Sequence, residues 1–210
     1  MKHLNQFITE YIIKKKLDNP IDSEDHYTYF PKTKEELIEN INELIKKNIY
    51  DFNCINTSEI TDMSYLFDSD NYNKTLDDID ISKWDVSKVK DMSFMFYSPE
   101  NFNCDLSKWD VSNVENMKGM FCWCIKFNCD LSKWDVSKVE DMSFMFDNCK
   151  NFNCDLSNWD VSNVISMKGM FQNCKNFNCD LSGWDVSNVK NMDYIFSNCM
   201  KLKKIPSWYK

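Results

Sequence analysis

A tryptophan returns every 25 residues through most of the chain, and this fixed step constrains the fold more than any other feature. The same step separates two columns of valine, one of methionine and one of phenylalanine, so that nearly identical segments such as NFNCDLSNWDVSNVISMKGMF recur. A fixed period in the twenties is typical of a repeat solenoid. A unit of this size cannot bury its own apolar face, so neighbouring units must stack to form one core. The repeated tryptophans are Trp84, Trp109, Trp134, Trp159 and Trp184.

Each unit contains two different hydrophobic patterns. The segment FNCDLS at residues 152–157 alternates apolar and polar side chains, which predicts a short strand with one buried face. After a turn at Trp159, apolar residues recur at steps of three and four, which predicts a short helix. These residues are Val164, Met167, Met170, Phe171 and Cys174. The pattern therefore predicts an α/β repeat solenoid with one short parallel strand and one short helix per 25-residue coil.

The first 50 residues lack the repeat and predict an N-terminal helical cap over residues 1–50. A first amphipathic helix is indicated by the apolar residues Leu4, Phe7, Ile8, Tyr11 and Ile12. A second helix follows Thr33, its predicted N-cap, with Glu36 as the capping-box partner. Its apolar face consists of Leu37, Ile41, Leu44 and Ile45. Residues 51–210 then predict about six coils, with a bulged loop at residues 71–78 and a closing strand in KLKKIPSWYK.

The sequence of the repeat unit resembles the repeats of a known family. FNCDLSKWDVSNVENMKGMF is similar to the repeat of the BspA-type, leucine-rich-repeat-like family of bacterial surface and phage- or virus-encoded proteins. The segment before the repeats resembles the helical lead-in of that family, and the resemblance covers about residues 30–205. It implies a leucine-rich-repeat-like solenoid and a general binding or adhesion role.

Ten cysteines are present, and most of them follow the repeat. One column lies in the predicted strand (Cys104, Cys129, Cys154 and Cys179), with Cys54 as its counterpart in the first coil. A second column ends the predicted helix (Cys124, Cys149, Cys174 and Cys199). Cys122 lies outside both columns, and we expect it to be the most accessible thiol. Three interpretations stay open: a zinc site, disulfides, and small buried side chains that pack like hydrophobes, which is the favoured one.

The sequence argues against several functions. Both histidines, His3 and His26, precede the repeats, so the repeats contain no base for a catalytic cysteine. We expect no enzyme activity, no catalytic residues, no metal site and no cofactor. The net charge is −8 and arginine is absent, which disfavours nucleic-acid binding. No apolar run is long enough for a membrane span, and the N-terminus lacks the pattern of a secretory signal. A cytoplasmic or virion-associated location is expected.

Two polar columns on the outward side of the predicted strands are the candidate binding site. Solenoids often bind partners through such a face, although a solvated face is the simpler interpretation. The candidate residues are Asn103, Asp105, Asn128, Asp130, Asn153, Asp155, Asn178 and Asp180. We call them the Asn/Asp strip.

A second pattern has a period of two coils. Phe94 and Phe144 alternate with Gly119 and Gly169 at the same repeat position. We interpret this alternation as packing of each ring over the neighbouring glycine. The alternative is a row of aromatic anchors for a partner.

Together these patterns predict a non-enzymatic scaffold that binds a protein partner, for which a basic surface is one option. Two alternatives stay open: a structural component of a virus or phage particle, and a thiol- or metal-handling protein. The sequence gives no oligomeric state.

Overall fold

The structure is a computed structural model that describes residues 27–68, 72 and 76–210. One α-helix, α1, lies within these residues and spans Lys34–Lys46. The remaining pairings are isolated parallel bridges of single residues. The helix predicted over residues 4–12 lies outside the described residues, and so does most of the predicted loop at 71–78. The predicted division of the chain at residue 50 stays a prediction.

Helix α1 confirms the second predicted helix and its cap. Thr33 Oγ1 accepts the backbone N–H of Glu36 at 3.3 Å. The Glu36 carboxylate accepts the N–H of Lys32 at 2.7 Å, one residue before the position that a capping box uses. The side chains of Leu37, Ile41 and Leu44 are buried in the same core as the repeats, and Ile45 packs against it.

The predicted α/β repeat solenoid is wrong, because residues 76–210 contain neither a helix nor a continuous strand. Each repeat is a succession of tight turns. The segment after Trp159 cannot continue as a helix because Gly169 and Asn173 both have φ of +60°. Asp160 Oδ1 also accepts the backbone N–H of Ser162 at 3.0 Å, which closes a side-chain turn before the segment.

The FNCDLS segment keeps the predicted alternation of burial but forms no strand. Its apolar side chains are buried, and Asn153 and Asp155 are exposed. The backbone N–H of Asn153 donates to the side-chain oxygen of Asn128 at 2.8 Å, and that of Leu156 donates to Cys179 Sγ at 3.3 Å. Because these N–H groups donate to side chains, they are not available for the backbone hydrogen bonds that would join neighbouring repeats into a sheet.

Backbone hydrogen bonds join the repeats along a different segment. The N–H groups of alternate residues point forward and donate to the next repeat at 2.8–2.9 Å: Met117 to Asp141, Gly119 to Ser143, Phe121 to Met145 and Trp123 to Asp147. Parallel bridges run in register through the same region, from Asp62 through Asp91, Asn116, Asp141 and Ser166 to Asn191. Most of these hydrogen bonds run from an N–H of one repeat to a carbonyl of the next, and a few run the other way, such as that from Glu140 to Glu115 at 2.8 Å.

Columns of stacked rings form the core between the turns. The rings of Phe121, Phe146 and Phe171 stack with centroids 5.7 Å apart from one repeat to the next. Trp134 and Trp159 are each 4% exposed, and their Nε1 atoms donate to carbonyls of the preceding repeat at 3.0 Å. The prediction that the repeated tryptophans are core residues is confirmed.

The alternation of phenylalanine and glycine is confirmed as packing. A Cβ atom on Gly119 would lie 2.3 Å from Cε1 of Phe94, and one on Gly169 would lie 2.6 Å from the Phe144 ring. The ammonium of Lys118 lies 5.9 Å from the centroid of the Phe94 ring. A ring in one repeat therefore occupies the space that glycine leaves open in the next.

The last residues contain no strand, so the predicted closing strand in 201–210 is wrong. Trp208 nevertheless takes the place of the repeated tryptophan. Its ring stacks on Trp184 with centroids 6.4 Å apart, and its Nε1 donates to the carbonyl of Leu181 at 3.0 Å. This segment therefore covers the tryptophan side of the last full repeat.

Candidate functional site

The asparagines of the Asn/Asp strip tie each repeat to the next. In each case Oδ1 accepts the backbone N–H of the residue 25 positions later, at 2.8–2.9 Å. Asn103, Asn128 and Asn153 bind the following asparagine in this way, and Asn178 binds Lys203. The side chains stay exposed, so their amide groups line the surface in fixed positions.

The aspartates of the strip are fixed by a different contact. Oδ1 of each one accepts the N–H of the serine two residues later at 3.0 Å, as in Asp130 and Ser132. The hydrogen bonds from Ser132 lower the pKa of Asp130, and those from Ser157 lower the pKa of Asp155. The carboxylates therefore remain ionised well below neutral pH.

The outward atoms of the strip form a regular acidic surface. All eight side chains are exposed. The hydrogen bonds from each asparagine to the next hold the side chains of neighbouring repeats in a continuous row. In the described part of the chain, Asp105, Asp130 and Asp155 form no ion pair. Asp180 is the exception, because Lys204 lies 2.7 Å from Oδ2 and lowers the pKa of Asp180 to about 2.

A shallow cleft of about 310 Å³ lies on the strip, at its C-terminal end. Its walls are Asn153, Asp155, Asn178 and Asp180, together with Cys154, Ser157 and Cys179. The structure therefore brings four of the predicted residues to one concave surface.

One ladder of cysteines lies directly beneath the strip. The sulfur atoms of Cys129, Cys154 and Cys179 accept backbone N–H groups of the preceding repeat at 3.1–3.3 Å. Each thiol also lies 3.3–3.7 Å from Oδ1 of the preceding aspartate, to which it can donate. Burial raises the pKa of all three thiols to about 11. Neutral thiols thus help to position the acidic column.

A second ladder of cysteines lies deeper in the core. Each thiol donates to the carbonyl oxygen of a phenylalanine in the preceding repeat at 2.9–3.1 Å: Cys124 to Phe96, Cys149 to Phe121, Cys174 to Phe146 and Cys199 to Phe171. Burial raises the pKa of these thiols. This hydrogen-bonding role was not apparent from the sequence, which suggested only small buried side chains.

All ten cysteines are free thiols in the structure. The expectation that Cys122 is the most accessible one is wrong, because Cys122 is only 5% exposed and its sulfur lies 3.9 Å from Asp147 Oδ2. Four others are half-buried: Cys54, Cys104, Cys179 and Cys199. Among the described residues, no three His, Cys, Asp or Glu side chains are grouped as a metal ion would require. A membrane-spanning helix is absent from the part of the chain that the structure describes.

A comparison of the sequence with models of protein families identifies one matching family. A family model described as "Mycoplasma protein of unknown function, DUF285" matches residues 34–149 and residues 124–209. The two matches overlap and together include α1 and the repeats. No match was found among curated proteins or among solved structures.

Proposed function

We propose that this chain, which belongs to the DUF285 family of Mycoplasma proteins of unknown function, is a non-enzymatic scaffold that binds another protein. The observation that carries the proposal is the Asn/Asp strip, whose side chains are fixed by hydrogen bonds and yet remain exposed. A surface that is already ordered loses little side-chain entropy when a partner binds. Fixed positions therefore favour recognition over simple solvation.

The charge of the strip indicates the chemistry of the partner. The carboxylates of Asp105, Asp130 and Asp155 are ionised, repel one another at the spacing of the repeats, and form no ion pair in the described residues. Hydrogen bonds from Ser107 and Ser132 and, to a smaller extent, the charges of Lys108 and Lys133 lower the pKa of Asp105 and Asp130. A partner surface with lysine or arginine side chains at a similar spacing relieves this repulsion. We propose a basic protein surface as the ligand.

The repeat sequence supports a narrower form of the proposal. The unit FNCDLSKWDVSNVENMKGMF resembles BspA-type repeats, so we extend the proposal to a binding or adhesion role of that general kind. The cysteines do not favour the thiol-handling alternative, since their hydrogen bonds lie between repeats and their pKa values are raised.

The test is a comparative affinity capture with two double variants. D130N/D155N removes two charges from the strip and keeps Oδ1 for the serine contact. D135N/D160N removes two charges from a neighbouring exposed column that makes the same contact with serine, so it is the matched control. We expect a protein that is retained by the wild type and by the control, and lost with the strip variant. A partner captured equally by all three would show that the strip does not bind it.

A further inference from the structure

A column of lysines runs along three repeats, beside the aspartates of the Asn/Asp strip. Lys83, Lys108 and Lys133 each follow an aspartate by three residues, in the segments DISK and DLSK. All three side chains are exposed, and their ammonium groups form no ion pair with any described residue. We call them the lysine column. The next two repeats have Asn158 and Gly183 at this position, so the column ends there.

The aspartates beside the lysine column form a matching row of negative charge. They are Asp105 and Asp130 of the strip and Asp80, which has the same position one repeat earlier. All three are exposed, and Oδ1 of each accepts the backbone N–H of a serine at 3.0 Å. Their carboxylates have no ion-pair partner within the described ranges of the chain. One face of these repeats therefore carries two parallel columns of opposite charge.

Lys204 shows how a lysine binds an aspartate of this column. Its Nζ lies 2.7 Å from Asp180 Oδ2, while Oδ1 of the same carboxylate accepts the N–H of Ser182 at 3.0 Å. The serine contact thus leaves the outer oxygen available to a cation. No described lysine pairs in this way with the neighbouring aspartates Asp110 and Asp135. The structure therefore contains the contact expected for a lysine that approaches the strip from another molecule.

We propose that two copies of this chain associate through this face, with the lysine column of each copy against the aspartates of the other. The inference rests on the proposed function and identifies the basic surface that the strip binds as a second copy. A two-fold axis parallel to the stack, midway between the two columns, brings each column onto the oppositely charged column of the partner copy. The expected ion pairs, each of which occurs twice, are Asp80–Lys83, Asp105–Lys108 and Asp130–Lys133.

The repeat sets the register of this association. The rings of Phe96, Phe121 and Phe146 follow one another with centroids 5.5–5.7 Å apart and are tilted by only 2–8°, so the columns run nearly straight over these repeats. A second copy has the same spacing, because the same repeat builds both columns. Rotation about an axis parallel to the stack leaves the height along the stack unchanged and therefore pairs equivalent repeats. The antiparallel two-fold arrangement would place aspartates against aspartates, which repel each other.

We expect a weak dimer whose stability depends on the salt concentration. Exposed ion pairs each contribute little, and two copies with a net charge of −8 repel each other. At about 0.1 M salt the long-range repulsion is largely screened, whereas charges in contact still attract each other. Higher salt should weaken these contacts as well.

The test is sedimentation velocity of the full chain, from micromolar to millimolar concentration at about 0.1 M salt. We expect the wild type to dimerise. D105N/D130N keeps Oδ1 for the serine contact and removes two of the three ion pairs on each side, so its dimer dissociation constant should rise roughly tenfold or more. D110N/D135N removes the same charge from aspartates that make the same serine contact, so this matched control should dimerise like the wild type.

A second set of variants tests the lysines and their direct pairing. K108Q/K133Q changes only exposed side chains and should weaken dimerisation as much as D105N/D130N does. K108E/K133E and D105K/D130K should each be monomeric alone. They should dimerise when mixed, because the reversed charges of one variant then face those of the other.

Three results would overturn the proposal. Self-association is excluded if the wild type stays monomeric up to millimolar concentration. The assigned aspartates are wrong if the matched control loses at least as much dimerisation as D105N/D130N. The lysine column is not the partner surface if K108Q/K133Q dimerises like the wild type. None of these results decides whether the strip binds a different basic protein, which the capture with D130N/D155N tests separately.

Discussion

Replacing Cys149 by serine and by alanine separates the two roles that its thiol can have. The side chain is fully buried, and its S–H donates to the carbonyl of Phe121 at 2.9 Å. Alanine removes this bond, at about 1 kcal/mol, and the packing of the sulfur atom, at about another 1 kcal/mol. Serine loses packing but keeps a donor. The Phe121 carbonyl also accepts the N–H of Cys124 at 2.9 Å, which keeps the cost of losing the thiol moderate.

We therefore expect a loss of about 2 kcal/mol for Cys149→Ala and about 1 kcal/mol for Cys149→Ser in the free energy of unfolding. Urea unfolding under reducing conditions measures both. Cys174 makes the same contact with Phe146 one repeat later, so its two variants should show the same order. A thiol that acted only as a small hydrophobe would give the opposite result, with alanine at least as stable as serine, and that would refute the hydrogen-bonding role.

Three further predictions concern packing and pH. Trp134→Ala should lower the free energy of unfolding by roughly 3–5 kcal/mol, because the ring is buried between two repeats; a loss below about 1 kcal/mol in urea would contradict its core position. Gly119→Ala should cost roughly 2 kcal/mol or more from its positive φ and its contact with Phe94. In a Phe94→Ala background the cost should fall to about 1 kcal/mol, and equal costs in both backgrounds would exclude the ring contact. Burial raises the pKa of Asp147, so the folded state favours the neutral carboxyl, and its stabilising effect is lost as the pH rises through the folded-state pKa. Asp147→Asn should therefore gain stability relative to the wild type between pH 4 and pH 7, and a pH-independent difference in thermal unfolding would show that this carboxyl is not perturbed.

The columns of the core could be predicted from the sequence, because every repeat places the same residue in the same environment. Trp159, Val164 and Met167 are buried as predicted. The local backbone could not be predicted, since spacing by three and four is shared by a helix and by a run of tight turns. The positive φ of Gly169 decides between them, and Phe144 and Tyr194 have the same positive φ at this repeat position although neither residue type indicates it in the sequence.

In the candidate site, too, the exposure of the side chains could be predicted from the sequence, but most of their hydrogen bonds could not. The exposure of Asn153 and Asp155 follows from simple alternation along the chain, and the prediction of an outward polar column is confirmed for these side chains. The hydrogen bonds of Asn153 depend on atoms 25 residues away, in both neighbouring repeats. Asp155 accepts from nearby Ser157, which the sequence could suggest, and from Cys179 of the next repeat, which it could not. The sequence therefore shows which residues face outward but not which of their atoms are already occupied.

The salt dependence of partner association bears on whether the Asn/Asp strip is a binding surface. Once a partner is in hand, its affinity is measured from low to physiological ionic strength for the wild type, D130N/D155N and D135N/D160N. We predict that the strip variant binds more weakly at low salt and loses less affinity as salt is added, because two of the interacting charges are gone. The control should follow the wild type. Unchanged affinity of D130N/D155N at low salt would contradict the proposed function and leave the strip as a solvated face.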